Sequence, residues 1–395
     1  MKKLINALLQ HLKNSRLRTL TAVVLLLQVL TSGAQKSAEK YLLIGTYTSG
    51  TSEGIYVYKF NETTGAATPV GSVKTSNPSF LAVSPNEKYV YAVNENADST
   101  QHTTGGSVAS FSFDKKTGTL TALNKQSSGG KHPCYVAIDK TGKWVFAGNY
   151  SSGSLAVLKT KKNGQLEAPK QTIQHTGYSV NTERQTVPHV HATVLSPDNN
   201  YLFVPDLGID KLMIYYFNKK KGKLQPAKIP FQMTEAGAGP RHFEFHPNGK
   251  YAYLIEELTG GISVYSYHGN GDLHLQQNIS ALPPDFEGTI GSADIHVSPD
   301  GKFLYASNRG SSNNIAIFSI NETNGQLRSL GHQSTLGKGP RNFSIDPSGN
   351  FLLAANQNSD EIVVFKRDKA TGLLTDTGNR IKVSKPVCLK WMNTN

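Results

Sequence analysis

The chain has 395 residues, with 41 Lys or Arg, 28 Asp or Glu and two Cys, and a formal net charge of +13 at pH 7. Two cysteines exclude a disulfide scaffold and a Cys-rich zinc site. The basic residues form no dense block with interleaved aromatics, so the sequence predicts no nucleic-acid partner. The surplus positive charge either favours an anionic substrate or is simply solvated.

Residues 1–34 have the pattern of a secretory signal peptide. Basic residues come first, then the uncharged run Leu20–Leu30, then the small residues Ser32-Gly33-Ala34. The run is shorter than the roughly 20 residues that span a bilayer. We predict a signal peptide over 1–34 and an exported domain over 35–395, periplasmic or extracellular, without stable membrane insertion after cleavage. An uncleaved anchor is the alternative.

From residue 41 the chain repeats one module at intervals of 48 to 57 residues. Each module reads as strand A, a polar turn, strand B, a loop, strand C, a hairpin ending in Gly, and strand D. Gly supplies the positive φ that a tight hairpin needs. Four-stranded antiparallel modules at this period are typical of a β-propeller. The copies of the turn and strand B are 84–95, 139–150, 196–207, 246–257, 298–309 and 346–357.

The two ends of the chain complete the seventh module. Residues 41–48 look like a strand B without a strand A, and Pro386–Met392 looks like a strand A with nothing after it. Pairing them leaves no open sheet edge. The sequence therefore predicts an all-β fold, a seven-bladed β-propeller closed in blade one by its N- and C-terminal strands.

One polar insertion, Gln174–Val187, comes before blade four and carries His175, Tyr178 and Arg184. A loop of this length in a compact repeat is often functional, although a plain insertion is equally consistent with the sequence.

Comparison of the modules separates structural from functional positions. The residue that ends strand B is polar in every copy, and we interpret it as bonding to nearby backbone. The next residue varies, as does the residue near the start of strand A. The constant positions are Asn94, Asn149, Asp206, Glu256, Asn308 and Asn356; the variable ones are Glu95, Tyr150, Leu207, Glu257, Arg309 and Gln357, and Ser79, Cys134, His191, Arg241, Ala293, Arg341 and Cys388.

The variable positions should converge at one mouth of the central channel, because strand A is innermost and runs antiparallel to strand B. Arg binds carboxylate or phosphate through its fork and can stabilise an oxyanion, and a neighbouring His or Glu can take a proton from water. The alternative is a set of ordinary salt bridges between blades. The residues expected to act are His191, Arg241, Glu257 and Arg309, with Arg341, His132, His189 and Gln357 lining the pocket.

Two further features favour structural interpretations. Asp294 and His296 resemble part of a metal site or a catalytic dyad, but a satisfied buried pair is the favoured interpretation. Cys134 and Cys388 fall two blades apart and are interpreted as small buried fillers. The sequence predicts no metal and no cofactor, and we expect a monomer.

Four stretches resemble the lactonase family of seven-bladed propellers, which includes the cofactor-free bacterial 6-phosphogluconolactonases and has the carboxymuconate-lactonizing enzymes as relatives of the same fold. They are His191–Asp198, Gly237–Asn248 (GAGPRHFEFHPN), Ala293–Gly301 and Gly339–Phe343. The resemblance covers residues 41–392. It implies hydrolysis of a sugar lactone, with His191, Arg241, Glu257 and Arg309 as the active-site residues.

One departure from the family pattern leaves the base open. The family often has Asn before the glutamate, whereas this chain has Glu256, so His191, Glu256 and Glu257 all remain candidates. Two other functions also remain: a non-catalytic exported propeller that binds glycan or protein, and a cycloisomerase that closes a lactone ring on an unsaturated diacid.

Overall fold

The computed structural model describes residues 1–6, 10, 39–97 and 105–394. Residues 1–38 and 39–395 are separate units. Residues 2–6 are helical, and most of the predicted signal peptide, including its apolar run and cleavage site, lies outside the described residues. Among those described, no helix is long and apolar enough to cross a membrane.

The second unit is built from strands apart from one short 3-10 helix, Leu207–Ile209, in its described residues, which confirms the predicted all-β fold class. Its strands form seven separate four-stranded antiparallel sheets, the blades of a propeller. In chain order the strands are β1 (Glu39–Thr46), β2 (Gly54–Asn61), β3 (Ala67–Lys74), β4 (Leu81–Val83), β5 (Tyr89–Asn94), β6 (Ser107–Asp114), β7 (Thr119–Ser127), β8 (Pro133–Ile138), β9 (Trp144–Asn149), β10 (Ser154–Thr160), β11 (Leu166–Gln174), β12 (Val194–Leu195), β13 (Tyr201–Asp206), β14 (Lys211–Asn218), β15 (Lys223–Met233), β16 (Pro240–Phe245), β17 (Tyr251–Glu256), β18 (Gly261–Tyr267), β19 (Leu273–Ser280), β20 (Ser292–Val297), β21 (Phe303–Asn308), β22 (Asn314–Ile320), β23 (Leu327–Ser334), β24 (Pro340–Ile345), β25 (Phe351–Asn356), β26 (Glu361–Arg367), β27 (Leu374–Lys382) and β28 (Pro386–Asn393).

Blade one is closed by both ends of the chain, as the sequence predicts. Its strand order is β28-β1-β2-β3, and β28 pairs antiparallel with β1, placing Tyr41 opposite Met392 and Ile44 opposite Leu389. The pairing gives β1 a neighbour on each side and removes an exposed edge that could pair with another chain.

The core lies between neighbouring blades. Apolar side chains from the inner strands of two adjacent sheets pack face to face, as Trp144 and Phe146 of blade three do with Leu202 and Val204 of blade four. Both faces of an inner strand are therefore buried, which is why β9, β17 and β25 are buried along their whole length. Burial of such side chains supplies the main favourable term in the stability of a propeller without disulfides.

The hairpin glycines also join the blades. Gly222 has φ of 62°, and a Cβ built on it would collide with the Trp144 ring of the preceding blade. The same contact recurs around the ring, because each hairpin glycine packs on the first aromatic residue of the preceding strand B or its equivalent. The pairs are Gly65 with Phe351, Gly118 with Tyr41, Gly164 with Tyr89, Gly222 with Trp144, Gly271 with Tyr201, Gly325 with Tyr251 and Gly372 with Phe303.

The constant polar residue at the end of strand B is structural, as predicted. Asn149 donates from Nδ2 to the carbonyl oxygen of Ser128 at 2.9 Å, and Asn308 donates to Ala281 at 2.7 Å. Each bond ties the end of strand B to the loop that leads into strand A of the same blade. Short amide side chains are suited to this local bonding to backbone.

Strand A is irregular where the variable residue stands. The β16–β17 register shifts between Pro240 and His242, so Arg241 has no partner in the ladder, and the β24–β25 register likewise leaves out Arg341. A bulge of this kind turns a side chain out of the sheet alternation. In blade four the predicted strand Pro188–Leu195 is reduced to β12 and one bridge between Val190 and Asp206, so His191 lies between two short paired segments.

Candidate active site

A polar pocket of about 440 Å³, here called the mouth pocket, opens at the channel end where strand A begins and strand B ends. Among the described residues, its charged walls are four cations and one carboxylate: Arg184, Arg309, Lys338, Arg341 and Glu257. The pocket therefore carries a positive charge excess that matches a small anionic ligand.

Glu257 is the centre of the charged network. Its Oε2 accepts from Arg241 Nε at 2.8 Å and lies 3.1 Å from Arg309 Nη2, while its Oε1 accepts from Arg184 Nη2 at 2.8 Å. The side chain is only 9 % exposed. Burial by itself would raise the pKa of this carboxyl, but Arg309, Arg241 and Arg184 outweigh burial and hold its pKa well below the usual range. Glu257 is therefore ionised at neutral pH.

His191 and Arg241 lie beneath the mouth pocket and do not border it. Their side chains are 4 % and 1 % exposed, and His191 Nε2 is 4.0 Å from Glu257 Oε2. Burial, reinforced by the Arg241 charge and by His242, lowers the pKa of His191 well below its usual value. His191 is a neutral imidazole behind the carboxylate, and Arg241 holds that carboxylate from below.

Arg309 and Arg341 face the pocket from blades six and seven. Arg309 is anchored by Nε to the Gly291 carbonyl at 2.9 Å, and burial lowers its pKa to about 10, so it stays protonated at neutral pH. Arg341 lies over the Tyr47 ring, 5.4 Å from its centroid, and its guanidinium makes no hydrogen bond or ion pair within residues 39–97 and 105–394. A half-buried guanidinium that has no hydrogen-bonding partner in the described part of the chain is suited to binding an anion.

The remaining sequence-predicted residues divide into two groups. Gln357 borders the mouth pocket beside Arg341. His132 and His189 lie outside its walls, because His132 Nδ1 bonds to Ser151 Oγ at 2.7 Å and His189 stacks on Tyr150 with centroids 4.3 Å apart. Tyr150 links His189 to a pocket residue, because its hydroxyl accepts from Arg184 at 3.1 Å.

Glu256 turns away from the pocket and does not crowd the site. Its Oε1 accepts from Ser263 Oγ at 2.8 Å and its Oε2 from Thr259 Oγ1 at 3.2 Å, both in its own blade. It occupies the constant structural position that other blades give to Asn. The geometry leaves Glu257 as the carboxylate that borders the pocket.

Asp294 and His296 form a hydrogen-bonded cluster in which Asp294 is buried and His296 is partly buried, in line with the favoured interpretation. Asp294 Oδ1 pairs with His242 Nδ1 at 2.6 Å, Oδ2 pairs with His296 Nε2 at 3.0 Å, and His296 Nδ1 pairs with Glu244 Oε2 at 2.5 Å. His242 Nε2 in turn lies 3.3 Å from Arg241 Nη1. The cluster is thus linked to Arg241 through His242.

Within the described residues, no group of three or more His, Cys, Asp or Glu is arranged to hold a metal ion. Cys134 and Cys388 are free and buried, as predicted, and Cys134 Sγ packs 3.9 Å from His191 Nδ1.

Arg184 is the functional candidate that comparison of the repeats does not find, since the insertion has no counterpart in other blades. The signal in the sequence is the insertion itself. Its loop is pinned by the buried carboxylate of Asp210, which accepts from Ser179 Oγ at 2.5 Å and from Gln185 Nε2 at 2.7 Å. This anchoring delivers Arg184 to Glu257.

Comparisons with known proteins agree with the fold and identify the family. The 6-phosphogluconolactonase of Formosa agariphila is 42% identical over 339 residues, which cover 84% of this chain and 94% of the relative. The 6-phosphogluconolactonase of Bacillus subtilis is 38% identical over 357 residues, covering 90% of this chain and 99% of the relative. Among solved structures, the periplasmic gluconolactonase PpgL of Pseudomonas aeruginosa matches with a TM-score of 0.86 and 38% identity, covering 90% of this chain and 100% of that one. Residues 41–391 match the family described as lactonase, 7-bladed beta-propeller, and the chain belongs to that family.

Proposed function

We propose that the protein hydrolyses a sugar lactone in the mouth pocket, with an anionic aldonolactone such as 6-phosphogluconolactone as the substrate. The observation that carries the proposal is that, among the described residues, Glu257 is the one carboxylate in the pocket wall, beside four cationic side chains. Relatives named 6-phosphogluconolactonase at 38–42% identity support the same reaction.

Glu257 is the base in this proposal. It accepts a proton from a water molecule as the water oxygen attacks the lactone carbonyl carbon. Arg309, which borders the pocket 3.1 Å from Glu257, stabilises the negative charge that develops on the carbonyl oxygen. The ring C–O bond then breaks and the ring oxygen takes up a proton, so that the lactone and one water give one hydroxy acid.

Three residues support these two. Arg241 and His191 act from beneath the pocket as positioning residues, because burial keeps both away from a ligand. Arg341 binds the substrate's anionic group, since it borders the pocket without a protein ion pair in the described part of the chain. The reaction draws on no metal in this scheme.

Gluconolactone without phosphate is the second candidate substrate. The observation in its favour is the likeness to a periplasmic gluconolactonase. A phosphate ester would place negative charge beside Arg341, whereas gluconolactone, which is uncharged, would leave that guanidinium to water. We further propose that the protein is exported after cleavage near Ser32–Ala34, which N-terminal sequencing of the protein from its native host would test.

An assay of the purified protein against 6-phosphogluconolactone, gluconolactone and a muconate distinguishes the three candidate functions. Hydrolysis above the uncatalysed rate supports the lactonase. Lactone formation from the muconate would support the cycloisomerase, and no turnover of any of the three would favour a binding propeller.

A further inference from the structure

We infer that Arg184, carried by the insertion loop 174–187, is a specificity-determining residue that leaves Glu257 to bind the anionic group of the substrate together with Arg341. The inference rests on the proposed lactonase activity and deepens it. It assigns to the loop a role in choosing between anionic and neutral lactones.

The two carboxylate oxygens of Glu257 have different partners. Oε2 is held by Arg241 at 2.8 Å and Arg309 at 3.1 Å, whereas Oε1 has Arg184 at 2.8 Å as its partner in the described part of the chain. An oxygen that accepts a charged hydrogen bond is a poor acceptor for a proton from water. Departure of Arg184 would open Oε1 without loosening the two bonds that fix the carboxylate.

The three arginines around Glu257 differ in their exposure to solvent. The Arg241 side chain is 1 % exposed, that of Arg309 is 19 % exposed and that of Arg184 is 42 % exposed. Arg184 is the member of this set that faces solvent and an entering ligand. Among the described residues, the hydrogen bonds of its guanidinium both leave from Nη2, to Glu257 and Tyr150, so Nε and Nη1 are available to a ligand.

The loop that carries Arg184 is anchored by hydrogen bonds to Asp210. Asp210 accepts from Ser179 and Gln185 of the loop and also from the backbone N–H of Gly237 and Gly239. The Cα of Arg184 is therefore held in place while its long side chain can change partner. A guanidinium fork exchanges a carboxylate for a phosphate with similar geometry, so the change of partner replaces one ion pair by another.

Binding of an anionic substrate would therefore free Oε1 of Glu257 to act as the base. A lactone with a phosphate ester or carboxylate distal to the ring carbonyl draws Arg184 away and leaves Oε1 open to water. A neutral lactone leaves Arg184 on Glu257. The ratio of kcat/KM for 6-phosphogluconolactone to that for gluconolactone reports this difference directly.

The test is that ratio in the wild type, Arg184→Gln, Arg184→Lys and Arg380→Gln. Arg380 pairs with Asp376 on an exposed strand, so its substitution removes the same charge far from the pocket. We expect Arg184→Gln to lower the ratio at least tenfold, Arg184→Lys to recover part of it through its point charge, and Arg380→Gln to leave it unchanged. An equal loss on both substrates in Arg184→Gln would overturn the inference and make Arg184 a support for Glu257 only.

The inference about Arg184 can be tested even if the protein hydrolyses no lactone. If the wild type hydrolyses neither lactone, the activity is wrong, and the inference is then judged by calorimetric titration with 6-phosphogluconate. Binding at least tenfold weaker in Arg184→Gln than in Arg380→Gln would support it. Equal affinity in the two variants would overturn it.

Discussion

At the scale of single residues, the site depends on charges that are buried together and compensate one another. Glu257 is shielded from solvent and would lose its charge there without its three arginines, because an isolated buried carboxylate is costly. The buried charge of Arg241 is compensated in turn, because its guanidinium donates to Glu257 and to the carbonyl oxygen of Ala293. Removing one member of such a network leaves the others unpaired, so single substitutions have large effects.

His296 should make stability depend on pH. Burial by itself would lower its pKa, but Asp294 and Glu244 outweigh burial and raise the pKa to about 10, above the unfolded value near 6.5. The stabilising charge is therefore complete below about pH 6.5 and is lost as pH rises toward about 10.

The expected result is a free energy of unfolding that falls over this range more steeply in the wild type than in His296→Gln. The difference in slope cannot exceed about 1.4 kcal/mol per pH unit for one proton. Urea titrations at several pH values would measure it. Identical slopes in the two proteins would show that His296 carries no extra proton in the fold.

At the scale of the element, loops and bulges place the reactive groups and the strands hold them. The sequence predicts the regular strands well, since apolar alternation and turn glycines are local signals. It does not predict the bulges that leave Arg241 and Arg341 out of the strand ladder, because those depend on packing around the channel. It also cannot show that Arg184 reaches Glu257, since that contact depends on the path of the insertion loop.

Asp210 should be the residue on which that loop depends. Its carboxylate accepts four hydrogen bonds, from Ser179, Gln185, Gly237 and Gly239, and the side chain is buried. Asn offers a single acceptor oxygen and brings an NH₂ against donors. We expect Asp210→Asn to lower the free energy of unfolding by at least about 2 kcal/mol, because buried donors lose their partners.

Lactone turnover by Asp210→Asn should fall as well, since the same carboxylate anchors the loops that lead to Arg184 and Arg241. Asp376→Asn is a matched control, because Asp376 pairs with Arg380 on an exposed strand. Chemical denaturation and steady-state kinetics on both variants would measure the effects. Equal stability of the two variants would contradict the assigned role.

At the scale of the whole molecule, seven similar blades form a closed ring that provides one site. The sequence predicts the blade number and the closure because the module repeats and its missing strand is supplied by the C-terminus. Comparison of the modules also predicts four residues that the structure brings together: His191, Arg241, Glu257 and Arg309. It does not predict which of them border the pocket, because depth in the channel is set by side-chain packing that no repeat records.

The hairpin glycines should contribute to cohesion between blades as well as to turns. Gly222 and Gly378 both have positive φ, of 62° and 78°, but a Cβ on Gly222 meets the Trp144 ring whereas a Cβ on Gly378 meets nothing within 4 Å. Gly222→Ala and Gly378→Ala therefore share the backbone strain, and only the first disturbs a blade contact. We expect the free energy of unfolding of Gly222→Ala to be lower than that of Gly378→Ala by about 1–3 kcal/mol, the usual effect of overpacking.

Thermal or urea unfolding of the two glycine variants measures the difference. If both are destabilised equally, the glycine serves the turn alone and the aromatic contact contributes nothing.

The measurement that tests the central claim most directly is the kcat of Glu257→Gln on the best lactone substrate, compared with Glu256→Gln. Both substitutions remove one buried carboxylate from neighbouring positions, but only Glu257 borders the mouth pocket. Glu257→Gln should lower kcat by about 10² or more while the protein stays folded, as expected on removal of a general base. Glu256→Gln should keep kcat close to that of the wild type. A folded Glu257→Gln variant that hydrolyses lactone as fast as the wild type would contradict the account.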